Sequence, residues 1–169
     1  MPDSEAAPAF EILEHTADIG LRARGRSLEE LCKNAAWGLA EILDVARPAQ
    51  VIGAAAVDAA TPARSPSARS RGAPGGYAPR PQRIVLGQAD IEALLVDWMN
   101  ELILLTEDGK ACLADVQVDA VGEDGLRARV ELTDCGNAPE GTELKAATYH
   151  QLSVRQAADG WVAVVYFDV

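Results

Sequence analysis

The chain has 169 residues, 49% of them hydrophobic and 24% charged, with a formal net charge of −11. That length suits one domain and is enough to bury a core. The negative balance excludes a protein that grips nucleic-acid phosphates over its whole surface, which requires clustered Lys and Arg. The acidic start Met1-Pro2-Asp3-Ser4-Glu5 lacks the basic and apolar blocks of a secretory signal, and no apolar run reaches about 18 residues. A cytoplasmic protein with a cation or a protein partner is expected.

Phe10 to Leu13 reads as a short strand, and Ile19, Leu21 and Ala23 alternate with Gly20, Arg22 and Arg24 as a half-buried one. Between them, Glu14-His15-Thr16-Ala17-Asp18 packs two carboxylates, an imidazole and a hydroxyl into a turn, where loop backbone leaves side chains free to converge on a ligand. Ser27 and Glu30 have capping-box spacing. Leu28, Leu31, Cys32, Ala35, Ala36, Leu39, Ile42 and Leu43 follow at helical spacing and predict an amphipathic helix that stops between Asp44 and Pro48.

Residues 46–83 break the pattern. Thr61 to Arg83 contains five prolines, five arginines and no acidic residue in a Ser/Ala/Gly-rich background, too poor in apolar surface to offset its ordering entropy. The expectation is a disordered basic insertion within a domain spanning 8–169. It reads either as a tolerated surface insertion, since long loops cost little closure entropy, or as an arm that touches RNA or a partner.

Order resumes with a strand from Arg83 to Leu86 and a helix capped by Asp90, with Ile91, Leu94, Leu95, Trp98, Met99, Leu102 and Ile103 on its buried face. The last third reads as β. Val116, Val118 and Ala120 form one strand, Glu123-Asp124-Gly125 a turn, and Leu126, Ala128, Val130 and Leu132 the returning strand. Leu152 to Arg155 and Trp161 to Phe167 are two further strands, the final one apolar on both faces and so central. The fold class is α+β: a single layered domain, a mixed β-sheet with two main helices and about seven strands. Cys32, Cys112 and Cys135 are an odd number without a C-x-x-C pair, which reads as reduced thiols and gives no support for zinc. Dinucleotide, P-loop and G-x-S-x-G signatures are absent from the sequence.

Four stretches in order then become informative together: Phe10 to Gly20 with its His-Thr-Ala-Asp-Ile-Gly core, the helix Leu94 to Leu102, the run Glu143-Leu144-Lys145-Ala146-Ala147-Thr148-Tyr149-His150, and the terminal Phe167-Asp168-Val169. This combination resembles the archease family over essentially the whole chain apart from the basic insertion. The resemblance implies a metal-binding accessory protein of the RNA ligase that joins 3′-phosphate or 2′,3′-cyclic phosphate ends to 5′-hydroxyl ends in tRNA splicing and RNA repair. Such a protein promotes guanylylation and turnover of the ligase, is not itself an enzyme, and meets RNA only through its partner. Carried over by position, Asp18 and Asp168 match metal-binding carboxylates, Val169 a backbone-oxygen ligand and Lys145 a residue needed for activation. Oxygen donors of this kind suit a hard divalent cation, Ca²⁺, Mg²⁺ or Mn²⁺.

Without the resemblance each residue has a plainer role. Asp18 then caps turn amides, Asp168 is a solvated end, Lys145 a surface lysine and His15 a structural hydrogen-bonder. Tyr149 and His150 stand as core residues or supports of the site, and Glu14 is open between reaching the cation and pointing away. Two other functions remain in view, a metal-dependent phosphohydrolase built on the paired carboxylates and Lys145, and a chaperone-like module that would need an exposed apolar patch.

Overall fold

Alternation of apolar residues builds the first hairpin: Phe10–Glu14 (β1) and Ile19–Gly25 (β2) pair antiparallel, from Phe10 opposite Ala23 to Glu14 opposite Ile19. The computed structural model describes residues 8–14, 18–48, 80–87, 90–107, 110–136 and 139–169. Most of the expected insertion, 49–79, lies outside the described residues.

The first helix, Leu28–Ile42 (α1), starts where Ser27 accepts a hydrogen bond from Glu30 N at 3.2 Å. Only half of the expected capping box forms. The Glu30 carboxylate accepts from Arg26 N at 2.7 Å and from the Arg26 guanidinium, because an arginine one residue before the cap offers it a charged donor as well as an amide. Asp90 caps the second helix, Ile91–Thr106 (α2), by accepting from the amides of Glu92 and Ala93.

The remaining strands are Arg80–Leu86 (β3), Ala111–Gly122 (β4), Gly125–Asp134 (β5), Ala146–Ala157 (β6) and Gly160–Asp168 (β7). Two helices and seven strands among the described residues agree with the α+β expectation. The strands divide between two sheets, β1-β2-β7-β6 and β3-β5-β4, where one mixed sheet was expected, and every strand pairing is antiparallel. The helices fill the space between the sheets, α1 against β2 and β4, α2 against β6, β4 and β3.

That middle layer owns the core. Trp98 and Met99 are fully buried, as the helical spacing predicted, together with Leu21, Leu126, Val130 and Phe167 from the two sheets. Each such side chain contributes about 1.5–3 kcal/mol by leaving water. Trp98 also donates its indole N–H to the carbonyl of Cys32 at 3.0 Å, tying α2 to α1 without leaving a buried donor unpaired. Gly125 turns the β4–β5 hairpin at φ +100°, with no room for a Cβ against the carbonyl of Leu86.

Three boundaries differ from the sequence expectation, each for a local reason. β3 begins at Arg80, inside the stretch read as disordered, because an edge strand tolerates Pro81. β4 begins at Ala111, where Ala111 to Ala114 are buried without alternating. β6 begins at Ala146, ahead of the expected Leu152, because a bulge interrupts its period between Thr148 and Ser153. The reading of all three cysteines as reduced thiols is also corrected. Cys112 and Cys135 are joined in a disulfide with Cα atoms 5.0 Å apart, while Cys32 is free and buried. Cys112 lies opposite Thr133 and the Cys135 amide bonds to Lys110 O, so the two thiols are diagonal neighbours across β4 and β5, a pairing that no local sequence motif encodes.

Candidate functional site

The run Trp161 to Phe167 is apolar enough to be an interior strand, and β7 accordingly lies between β2 and β6. This brings three distant pieces of sequence to one end of one sheet. On one side Ile19 is opposite Phe167 and Gly20 opposite Tyr166, and Asp18 and Asp168 each stand one residue beyond the last of these pairs, where the antiparallel register, continued, opposes them. On the other side Ala146 is opposite Asp168, the Lys145 amide donates to Asp168 O at 2.9 Å, and Lys145 Nζ donates to Val169 O at 2.9 Å. The sequence-derived residues Asp18, Lys145, Asp168 and Val169 therefore meet.

Alternation sets which way they face. Leu21, Ala163, Val165 and Phe167 turn inward to the helices and are buried, so Asp18, Gly20, Tyr166 and Asp168 share the outer face. Directly opposed residues on one face have Cβ atoms about 4.5–5.5 Å apart, and like charges there repel. Asp18 is half-buried and Asp168 exposed, and neither has an ion-pair partner among the described residues, whose carboxylate–guanidinium pairs involve Glu11, Glu30, Asp44 and Asp119.

Two neighbouring carboxylates with no ion-pair partner among the described residues are hard oxygen donors, and a divalent cation would convert their repulsion into ligation. The residues thus fit the group that the resemblance implies. Among the described residues no cluster of three or more His, Cys, Asp or Glu side chains is arranged to hold a metal, so further donors would be backbone oxygens or water. Val169 O already accepts from the Lys145 ammonium. The Glu14 carboxylate and His15 lie outside the described residues.

Several residues support this end of the sheet that the sequence did not single out. Asn100 Oδ1 on α2 accepts from Ala147 N at 2.8 Å and ties the start of β6 to the helix. Asp44 Oδ2 accepts from Glu140 N at 3.1 Å and anchors the chain that leads to Lys145. That bond, with Arg47 beside it, holds the Asp44 carboxyl below its ordinary range. Thr142 N donates to Ile42 O at 3.0 Å along the same path. A cavity of about 780 Å³ opens behind Lys145, between this segment and the outer turns of α2 at Ile103 and Leu104. Tyr149 and His150 are not core; both are exposed on the β6 bulge.

Comparison with known proteins bears on the family and the fold. The archease protein family (MTH1598/TM1083) matches residues 10–64 and 76–169. The chain is similar to the protein archease of Methanosarcina barkeri, 30% identical over 98% of this chain and 99% of that one. It is equally similar to that of Methanosarcina acetivorans, 30% identical over 95% of each. Its fold is similar to the solution structure of Methanobacterium thermoautotrophicum protein 1598, with a TM-score of 0.60 at 22% identity over 95% of this chain and 99% of that one. It is also similar to the crystal structure of an archease from Thermotoga maritima described as a possible chaperone, with a TM-score of 0.58 at 23% identity over 94% and 96%. No helix among the described residues is long and apolar enough to cross a membrane. With the family matched from β1 through the last residue, and both ends of that match meeting at one sheet end, the chain belongs to the archease family.

Proposed function

We propose that this protein is a cytoplasmic, cation-carrying accessory factor, not itself an enzyme. It activates an RNA ligase that joins 3′-phosphate or 2′,3′-cyclic phosphate ends to 5′-hydroxyl ends, promoting the ligase's guanylylation and turnover in tRNA splicing or RNA repair. The observation that supports the reading is the register of β2, β7 and β6, which brings Asp18, Asp168 and the Lys145–Val169 contact to the same sheet end. Family membership supports a protein partner, and the net charge of −11 favours reaching RNA through that partner over direct binding.

In this reading Asp18 and Asp168 hold the cation, with a backbone oxygen of Val169 as a further donor. The bound cation supplies positive charge to a phosphoryl oxygen. Lys145 contributes a compact ammonium on a flexible stem, held in place until a phosphate or partner carboxylate displaces it from the carbonyl. The Asn100 contact and the Asp44 contact fix the backbone on either side of Lys145.

The experiment is guanylylation of the cognate ligase with GTP and a divalent cation, with and without substoichiometric protein. A large acceleration is expected, lost in Asp18→Asn and Asp168→Asn, and impaired in Lys145→Ala with Mn²⁺ binding retained. Full activation by both aspartate variants would end the metal-site account. Phosphoester turnover by the protein alone would select a phosphohydrolase instead.

A further inference from the structure

The outer face of the β1-β2-β7-β6 sheet continues beyond the two aspartates in a way the accessory role does not use. Tyr166 stands two residues from Asp168 on that face, about 7 Å along the strand. Its neighbour across the ladder is Gly20, where a Cβ would lie 2.8 Å from Tyr166 Cε1 and 3.1 Å from Leu13 Cβ, so the missing side chain makes room for the phenol ring against β2. Leu13 and Tyr166 are both outside the buried core cluster and its packed neighbours.

The other border of the ring is made by the bulge in β6. Thr148 pairs with Tyr166 and Ser153 with Val164, so four residues of β6 stand against one of β7. Gln151 within it adopts φ +50°, a left-handed conformation that costs a non-glycine residue free energy and persists where surrounding contacts demand it. The excursion brings His150 beside Tyr166. Its ring meets Tyr166 edge-on with centroids 6.3 Å apart, its amide donates to Thr148 Oγ1 at 3.3 Å, and Gln151 Nε2 lies 3.0 Å from His150 Nε2. Thr148 Oγ1 in turn donates to Tyr166 O at 3.2 Å. An exposed imidazole and a half-buried phenol are thus held in a fixed corner beside the paired carboxylates.

We propose that this corner is a nucleotide subsite: Tyr166 and His150 receive the base of a ribonucleoside triphosphate whose phosphates are held at the Asp18–Asp168 end as a divalent-cation complex. An aromatic platform serves any base, because every base has a π-face. A cation at the carboxylates and the Lys145 ammonium would complement the phosphate charge at the same sheet end. A mononucleotide is favoured over an RNA strand because the chain carries −11 and a polyanion would be repelled along its length. This inference rests on the cation reading of Asp18 and Asp168.

The test uses the full-length protein without ligase. Mn²⁺ binding is followed by electron paramagnetic resonance, and Mg²⁺·GTP and Mg²⁺·ATP binding by isothermal titration calorimetry. Saturable binding of both triphosphates is expected, weakened about tenfold in Tyr166→Leu and in His150→Ala, the loss of one stacking partner. Mn²⁺ binding without nucleotide is retained in both variants. His150→Ala changes an exposed side chain and keeps the test sound if Tyr166→Leu fails to fold by circular dichroism. Absence of triphosphate binding while Mn²⁺ binds, or equal binding by wild type and His150→Ala, overturns the subsite and leaves the accessory function standing. Preference for a short 3′-phosphorylated RNA over both triphosphates also overturns it. Loss of Mn²⁺ binding in the wild type removes the cation reading on which both depend.

Discussion

The two sheets end differently. The β3-β5-β4 sheet closes its own ends and faces: Cys112 is bonded to Cys135 across β4 and β5, and Asp119 takes a two-pronged contact from Arg129 at 2.8 and 3.2 Å. The β1-β2-β7-β6 sheet instead brings Asp18 and Asp168 to one end, just past the Ile19–Phe167 pair, with no ion-pair partner among the described residues. Both sheets lean on the same helices, so stability is common property while unmet charge is local. A sheet end that keeps two like charges together is the place where a ligand gains most by binding.

The largest effect comes from the layer the sheets share. Trp98→Ala removes a fully buried indole and the hydrogen bond it donates to the Cys32 carbonyl, a loss of about 3–5 kcal/mol. Urea unfolding followed separately by tryptophan fluorescence and by far-ultraviolet circular dichroism should show one lowered midpoint by both probes. Loss of one sheet before the other would mean that the helices do not couple them.

Reduction of Cys112–Cys135 comes next. The bond closes a loop of sequence separation 23, and opening it should cost about 3 kcal/mol by chain entropy. Native-state alkylation at neutral pH after reduction should label Cys135 and spare both Cys112, which is fully buried, and Cys32, whose thiol burial pushes up to about 12. If the comparison of sheets is right, reduction lowers the unfolding midpoint and leaves Mn²⁺ binding at Asp18 and Asp168 intact. A parallel loss of cation binding would show that the two ends communicate.

What the sequence made legible follows from what is periodic. Helix α2 was readable because Leu94, Leu95, Trp98 and Met99 recur at helical spacing, and β7 as an interior strand because it lacks a polar face. Asp18, Lys145, Asp168 and Val169 were singled out by resemblance, but their meeting is a matter of strand register, which no local pattern carries. The bulge at Tyr149 to Leu152 was invisible because it destroys the alternation that would announce a strand. The disulfide was missed for a related reason: its two thiols become neighbours only once β4 and β5 are paired diagonally. Pro81 drew β3 into the disordered reading because a proline argues against a strand unless the strand is known to lie at an edge.

Acid should act on the path to Lys145 before it acts on the fold as a whole. The Asp44 carboxyl is held below its ordinary value, first by the Glu140 amide and then by Arg47. A depressed folded-state value means the contact stabilises fully above the ordinary carboxylate range near pH 4 and is lost as pH falls through the lower folded value. Hydrogen-exchange protection of the Glu140 amide, relative to the unstructured rate, should decline across that window. Asp44→Asn keeps an oxygen acceptor and tolerates the φ of 54° at this position, so its protection should stay flat with pH. The same decline in Asp44→Asn would mean another group titrates.

The smallest effect should come from the most visible ion pair. Arg129 holds the Asp119 carboxyl below its ordinary value, mainly by its hydrogen bonds, but Arg83 and Arg127 act on the same carboxylate. Arg129 also stands directly opposite Arg83 in the β3–β5 register, a like-charge pair that opposes folding. In Arg129→Ala the lost attraction and the relieved repulsion therefore offset each other, and the two remaining arginines continue to neutralise Asp119. The thermal midpoint should barely move at low salt and match wild type at high salt, where exposed pairs are screened. A fall as large as that caused by reducing Cys112–Cys135 would mean that the β3-β5-β4 sheet depends on its surface charges. The contrast between a closed sheet and an open one would then rest on ionic strength and not on covalent structure.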